Sequence, residues 1–118
     1  MGESFKDLLV WQRSVQTTVA AYKLTAKFPP DERFGLTNQM RRAAVSTASN
    51  VAEGYGRSST GEYIQFLGIA RESNCEGRTQ LATSTKLGFG GEEPRAVATK
   101  LSEEVSRMLV AMMKKLRE

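Results

Sequence analysis

The sequence has no histidine, one cysteine, three prolines and no apolar run longer than the six residues of "MLVAMM", Met108 to Met113. Each shortage excludes something. Without histidine the usual general base is missing, and so is the Glu-x-x-His motif of di-iron helical bundles. No metal site, cofactor or catalytic constellation is therefore expected. Cys75 has no second cysteine to pair with, which suits a reducing compartment. Only nearby arginines could activate it, so it reads as a small buried or half-buried residue. Spanning a bilayer takes about 20 apolar residues, far more than any run here. The amino terminus, "MGESFKDLLVWQ", has no signal-peptide core, and Lys6 stands where a myristoylation signal wants Ser or Thr. These features predict a soluble, cytoplasmic, non-enzymatic protein with no membrane partner.

What remains is ordinary in bulk and uneven in distribution. A chain of 118 residues, 40% hydrophobic and 25% charged, reads as a single domain over residues 1–118 with one core. Its net charge of +4 favours anionic partners. Between Phe28 and Thr85 every basic residue is arginine: Arg33, Arg41, Arg42, Arg57, Arg71 and Arg78. Arginine presents a planar fork that fits carboxylate or phosphate, where lysine is a compact point charge.

Four helical segments follow from periodicity, and no strand. In the first, Leu8, Trp11, Val15, Val19, Tyr22 and Ala26 recur at spacings of three and four, and Pro29 and Pro30 must end it. The second begins near Leu36 to Asn38 and runs to Gly54 or Gly56, where glycine suits a left-handed carboxyl cap. Ser59 and Glu62 form a capping box for the third, whose rhythm is Tyr63, Phe66, Leu67, Ala70, Asn74, Gly77 and Leu81. Gly77 weakens it by about 1 kcal/mol relative to alanine. "GFGG" ends it. Pro94, Glu92 and Glu93 start the fourth, with a stripe of Val97, Leu101, Val105, Met108, Met112 and Leu116 and a basic "KKLR" end. Short connections between long helices predict an all-α, antiparallel up-down four-helix bundle.

The segment "RRAAVSTASNVAEGYGR", Arg41 to Arg57, is the chain's most unusual. A dinucleotide fingerprint would need a third glycine at Ser59 and a preceding strand, and has neither. Ala44, Ala48 and Ala52 leave the second helix thin, which permits close approach inside the bundle, to a neighbouring subunit, or both. A tight second turn would set Arg42 level with Glu72. Glu72 and Glu76, four apart on one helix face, repel each other mildly and would accept a cation from Arg41 or Arg42. Ion pairing and phosphate recognition both remain open for these arginines.

The stretches "FKDLLVWQRS", "FPPDERFGLTNQMRRAAVSTASNVAEGYGR", "STGEYIQFLGIARES" and "TQLATSTKLGF" occur in an order that resembles the 23S rRNA intervening-sequence protein family, also called the S23 ribosomal protein family. The resemblance covers nearly the whole chain and is most specific from Phe28 to Arg57. It implies an all-α bundle assembled into a ring, a homopentamer, with a molecular function essentially unassigned. It also implies an architectural likeness to accessory proteins of diversity-generating retroelements, which use a basic barrel to engage nucleic acid and a reverse transcriptase. The matching motif positions are Arg41, Arg42, Asn50, Glu53, Gly54, Arg57, Glu62, Tyr63 and Arg71. In the third helix this chain departs from the family: Glu72 replaces a glycine and Gly77 a leucine.

The leading expectation is a ring-forming bundle that binds nucleic acid, structured RNA before DNA, through backbone contacts. Arg41, Arg42, Arg57, Arg71 and Arg78 are the candidate contacts, with Lys114, Lys115 and Arg117 as an outer basic patch. Ala44, Ala48, Ala52, Gly54, Glu62, Tyr63, Glu72 and Glu76 are the candidate structural or interface positions. Tyr55 beside Arg57 is the one exposed-looking aromatic, so sequence-specific base reading is not expected. The rival expectation is a protein-interaction scaffold, indifferent to nucleic acid, whose arginines sit in internal ion pairs.

Overall fold

The computed structural model describes residues 4–118. The reading of the amino terminus falls partly on residues 1–3, outside the described residues. Helices α1 (Leu9–Thr25), α2 (Leu36–Tyr55), α3 (Thr60–Lys86) and α4 (Glu92–Arg117) make up nearly all of it, with single 3-10 turns at Phe5–Asp7 and Pro30–Glu32. Each boundary has a local cause. The Ser4 hydroxyl accepts the Lys6 N–H, and Ser4 and Asp7 close a reciprocal capping box before α1. Pro30 opens the 3-10 turn that separates α1 from α2. At α3 the Ser59 hydroxyl accepts the Glu62 N–H at 3.1 Å, so half of the expected box forms. Between α3 and α4, Gly88 and Gly90 take φ of +75° and +76°, a conformation that favours glycine.

The helices pack α1 on α2, α2 on α3, α3 on α4, and α4 back on α1, in a body of 43 × 25 × 23 Å. Along α2 and α3 the contacts run in opposite senses. Gln39 meets Gln80, Ala43 meets Gly77, Ser46 meets Ser73, and Gly54 meets Phe66. Polar bonds tie the other pairs: Thr18 to the Ala44 carbonyl (3.2 Å), the Asn74 amide to the Ser102 carbonyl (2.9 Å), and Arg13 to Glu104 (3.0 Å).

Two apolar clusters fill the interior. One holds Val10, Val51, Leu67, Ala70, Val105, Leu109 and Met113; the other holds Ala20, Leu24, Phe28, Met40, Leu81 and Ala98. Between them lies a waist of small and hydroxyl-bearing residues around a cavity of about 30 Å³, lined among others by Ala43, Thr47, Asn74, Gly77 and Ser102.

The buried faces of α1 and α4 match the predicted stripes in part: Val105 lies in the core, and Leu8, Trp11, Leu101, Met108, Met112 and Leu116 pack against it. On α1 the inward residues are Val10, Ser14, Ala20, Ala21, Leu24 and Thr25, while Val19, Tyr22 and Ala26 are exposed. On α4 they are Ala98, Ser102, Val105, Leu109 and Met113, with Val97 exposed. Serine and threonine read as polar in the sequence, yet their hydroxyls are satisfied within their own helix. Ser14 donates to the Val10 carbonyl and Thr25 to the Ala21 carbonyl, both at 2.7 Å. So satisfied, they bury at little cost. The α3 rhythm is kept: Leu67, Ala70, Asn74 and Leu81 all face inward.

Gly54 and Gly56 are not left-handed caps. Gly56 caps α2 at φ −82°, and Gly54 lies inside the helix. A Cβ on Gly54 would sit 2.8 Å from Phe66 Cβ and 3.1 Å from the Tyr63 ring. Its glycine is required by the close approach of α3.

Candidate nucleic-acid interface

Three of the six arginines of the middle segment, Arg33, Arg41 and Arg57, meet aromatic rings where carboxylates were the alternative. Arg41 reaches α1, where its Nε donates to Thr25 Oγ1 at 2.9 Å and its guanidinium carbon lies 4.4 Å from the centre of the Tyr22 ring. Arg57 covers Phe66 at 4.4 Å, and Arg33 lies over Phe34 at 4.8 Å. Among the described residues one ion pair forms, Arg13 with Glu104. Of the alternatives left open for them, pairing of Arg41 or Arg42 with Glu72 or Glu76 does not form within the chain. A stacked guanidinium keeps its in-plane N–H donors available at the rim of the ring.

The register explains part of this. Because Ala43 meets Gly77 and Ser46 meets Ser73, Arg42 lies level with Gly77 and Arg78, about one and a half turns beyond Glu72. The first turn of α3 runs past the end of α2, so Gly54 faces Tyr63 and Phe66 instead of lying level with the start of α3. Arg42 is exposed and shares a cleft with Glu76, Phe34, Asn38, Gln39 and Ser46. Arg41 is only half-exposed.

The candidate basic residues do not form one patch. Arg41 and Arg42 lie in the first half of α2, and Arg78 in the second half of α3, towards the α1–α2 and α3–α4 connections. Arg57 follows α2, and Lys114, Lys115 and Arg117 end α4, at the opposite end. Arg42 and Arg57 are separated by about 22 Å of helical rise. Arg71 lies between, exposed on α3 beside the exposed Glu72. Arg78 is half-buried in a cleft with Cys75, Lys86 and Glu103. Cys75 itself is exposed, which corrects its expected burial: it lies on α3 one position past the inward Asn74.

The interface candidates divide likewise. Gly54 is buried against Tyr63, whose ring meets Tyr55 edge-on at 6.3 Å. Burial, and secondarily the neighbouring Tyr55, raises the Tyr63 phenol above its ordinary value. Glu62, Glu72 and Glu76 are exposed. Asn50 donates its amide to the Ser46 carbonyl at 2.8 Å, and Ser46 meets Ser73 at 2.8 Å, which stitches α2 to α3. Ala48 and Ala52 line a surface groove between α1 and α2 with Trp11, Val15, Val19 and Val45. Val19 and Val45 are 48% and 44% exposed. Ala44 lies further in, at the waist cavity.

Two features were missed in the sequence. Phe34 is 82% exposed, the most exposed large hydrophobic residue among those described, and Arg33 lies on its ring. The signal was present, since "RF" falls between two helices where no apolar stripe claims the phenylalanine. The α1–α2 groove was missed because Trp11, Val15 and Val19 were all assigned to the core stripe; Trp11 packs against the core, whereas Val19 is 48% exposed in the groove.

No cluster of three or more His, Cys, Asp or Glu suited to a metal occurs among the described residues, and no helix there is long and apolar enough to cross a membrane.

Comparisons with known proteins agree with this architecture. The chain superposes on a crystal structure from Bacteroides thetaiotaomicron, described as a protein of unknown function from the S23 ribosomal protein family, with a TM-score of 0.80. That alignment covers 90% of this chain and 99% of the other at 21% identity, a likeness of fold. No curated protein matches the sequence. The sequence model described as 23S rRNA-intervening sequence protein matches residues 6–111, nearly the whole chain, and the protein accordingly belongs to the 23S rRNA-intervening sequence protein family.

Proposed function

We propose that this protein is a non-enzymatic, up-down helical bundle that assembles into a ring in the cytoplasm and binds structured RNA through contacts to the phosphate backbone. The observation that carries the reading is the state of its arginines. Arg33, Arg41 and Arg57 lie against aromatic rings, and none of them, nor Arg42, is paired with a carboxylate. Held in this way, a guanidinium is oriented and still offers donors to a phosphate. The family's description as an rRNA-intervening-sequence protein supports the same direction.

The ring reading rests on the α1–α2 groove. Exposed Val19 and Val45 beside Ala48 and Ala52 form an apolar strip that a second copy could cover closely. Five copies would bring the net charge to about +20, which strengthens attraction for a polyanion.

The test is a titration against labelled structured RNA, with duplex DNA beside it, at several salt concentrations and with the assembly's mass measured in parallel. Affinity should fall steeply with salt. It should be lost in an Arg41→Glu/Arg42→Glu variant that still assembles. An assembled protein that binds no nucleic acid at low salt would favour the scaffold reading, and a monomer at working concentration would remove the ring.

A further inference from the structure

We propose that the cleft between the start of α2 and the middle of α3 is a binding site for one unpaired guanine of a single-stranded RNA segment. The inference rests on the RNA-binding reading above and adds a base-selective site to it.

The cleft, about 470 Å³, is lined by Phe34, Asn38, Gln39, Arg42, Ser46 and Glu76, with Ala43 at its base. That volume falls in the range of small-molecule sites. Its chemistry differs from that of the apolar α1–α2 groove: one aromatic ring, one cation, one carboxylate and two amides converge on it. Phe34 is 82% exposed, so its ring is open to a ligand apart from the face that Arg33 covers. Arg33 stacks on its ring at 4.8 Å, the arrangement that extends an aromatic platform for a base. Sequence-tolerant stacking is the first contribution of such a platform.

Selectivity comes from Glu76. Its carboxylate forms no ion pair, although Arg42 lines the same cleft. An ionised carboxylate is acceptor-only, with two oxygens side by side. Among the four RNA bases, guanine alone presents two adjacent N–H donors, N1–H and N2–H, on its Watson–Crick edge. Adenine and cytosine offer one amino group beside an acceptor, and uracil one N–H between two carbonyls. Glu76 therefore matches guanine in a paired fashion and meets an acceptor beside the donor in the others. Arg42 serves the flanking phosphate, so the carboxylate does not abolish attraction for the backbone. Gln39 is held by a long 3.4 Å bond in which its oxygen accepts from the Gln80 amide, which leaves the Gln39 NH₂ as a further donor.

The experiment uses the assembled protein and short single-stranded RNA hexamers that differ at one central position, G, A, C or U in a uridine context. The guanine hexamer should bind about tenfold more tightly than the uridine one, in line with one stacked and edge-read base. This ratio should hold as salt rises while every absolute affinity falls, because the phosphates are common to all four. Phe34→Ala should remove the stacking gain for all hexamers, and Phe34→Tyr should keep it. Glu76→Gln should collapse the guanine preference and leave the platform intact. The same variants are titrated with structured RNA. If structured RNA binds in a salt-dependent way but the four hexamers bind alike, the guanine site is wrong and the backbone reading stands. If neither binds, both are wrong. If Phe34→Ala changes the mass of the assembly, the ring belongs to a subunit contact and the site is overturned.

Discussion

Two of the three glycines that are buried or half-buried within the long helices, Gly54 and Gly77, look equivalent in the sequence and are opposites in the structure. Gly54 on α2 has α3 so close that a Cβ would stand 2.8 Å from Phe66 Cβ. Gly77 on α3 faces α2 at the waist, where a Cβ would meet Ala43 Cβ at an ordinary 3.6 Å. The first lies beside the cluster of Val51, Leu67 and Leu109, where large side chains interdigitate. The second borders the cavity of about 30 Å³ among alanines, serines and threonines. One end of the bundle is packed to its limit, and the middle has room. A helix pair therefore has no single tolerance: it depends on what the facing residue does at each level.

Substitutions can break or sharpen this contrast. The largest effect is expected from Leu109→Ala. Leu109 is fully buried in the large-residue cluster, and its truncation should destabilise the fold by about 3 kcal/mol, read as a lowered urea midpoint. Gly54→Ala should follow, at about 2 kcal/mol of destabilisation, because Phe66 Cβ is part of a helix and cannot swing aside. A neutral result there would mean that α2 and α3 are less tightly apposed than the contact implies. Gly77→Ala should go the other way, raising stability by about 0.5 to 1 kcal/mol through helix propensity and a smaller unfolded-state entropy. If it destabilises instead, the waist needs its space, and the contrast fails.

The smallest effect concerns pH at the tight end. The Tyr63 phenol titrates above the ordinary value of 10.0, chiefly through burial. Below that ordinary value both states keep the proton and the full stability is present. As pH rises past it, the unfolded chain releases the proton first, so stability falls until the folded-state pKa is passed. Tyr63→Phe should flatten that alkaline decline, seen by comparing urea midpoints of the two proteins between neutral and strongly alkaline pH. Tyr63 is only partly buried, so the difference should be slight.

The α3 face shows what periodicity can read well. Leu67, Ala70 and Leu81 are apolar, recur at helical spacing, and all turn inward. On α1 and α4 the same method was right in part: Val105 lies in the core, and Leu8, Trp11, Leu101, Met108, Met112 and Leu116 pack against it. Ser14, Thr25 and Ser102 were missed because they bury hydroxyls that their own helices satisfy. Residues such as Val19 and Val97 were then credited to a core they do not enter. The arginines show a second limit. Their number and clustering were plain in the sequence, but their partners were not. Arg41 meets Tyr22, nineteen positions away on another helix, and Arg57 meets Phe66 across the turn into α3.

The sequence by itself determined the four helices, their ends and the absence of histidine chemistry, since propensity, capping and periodicity act over a few residues. It also determined the basic character of the middle segment, which is composition. Tertiary structure alone decided the register of α2 against α3, and with it that Arg42 shares a cleft with Glu76 and lies beyond Glu72. It decided too that Gly54 is a contact and not a cap, and that Phe34 is left in solvent. Register depends on where one helix must overrun another to pack, a sum of contacts between residues far apart in the chain, and no local pattern encodes that sum.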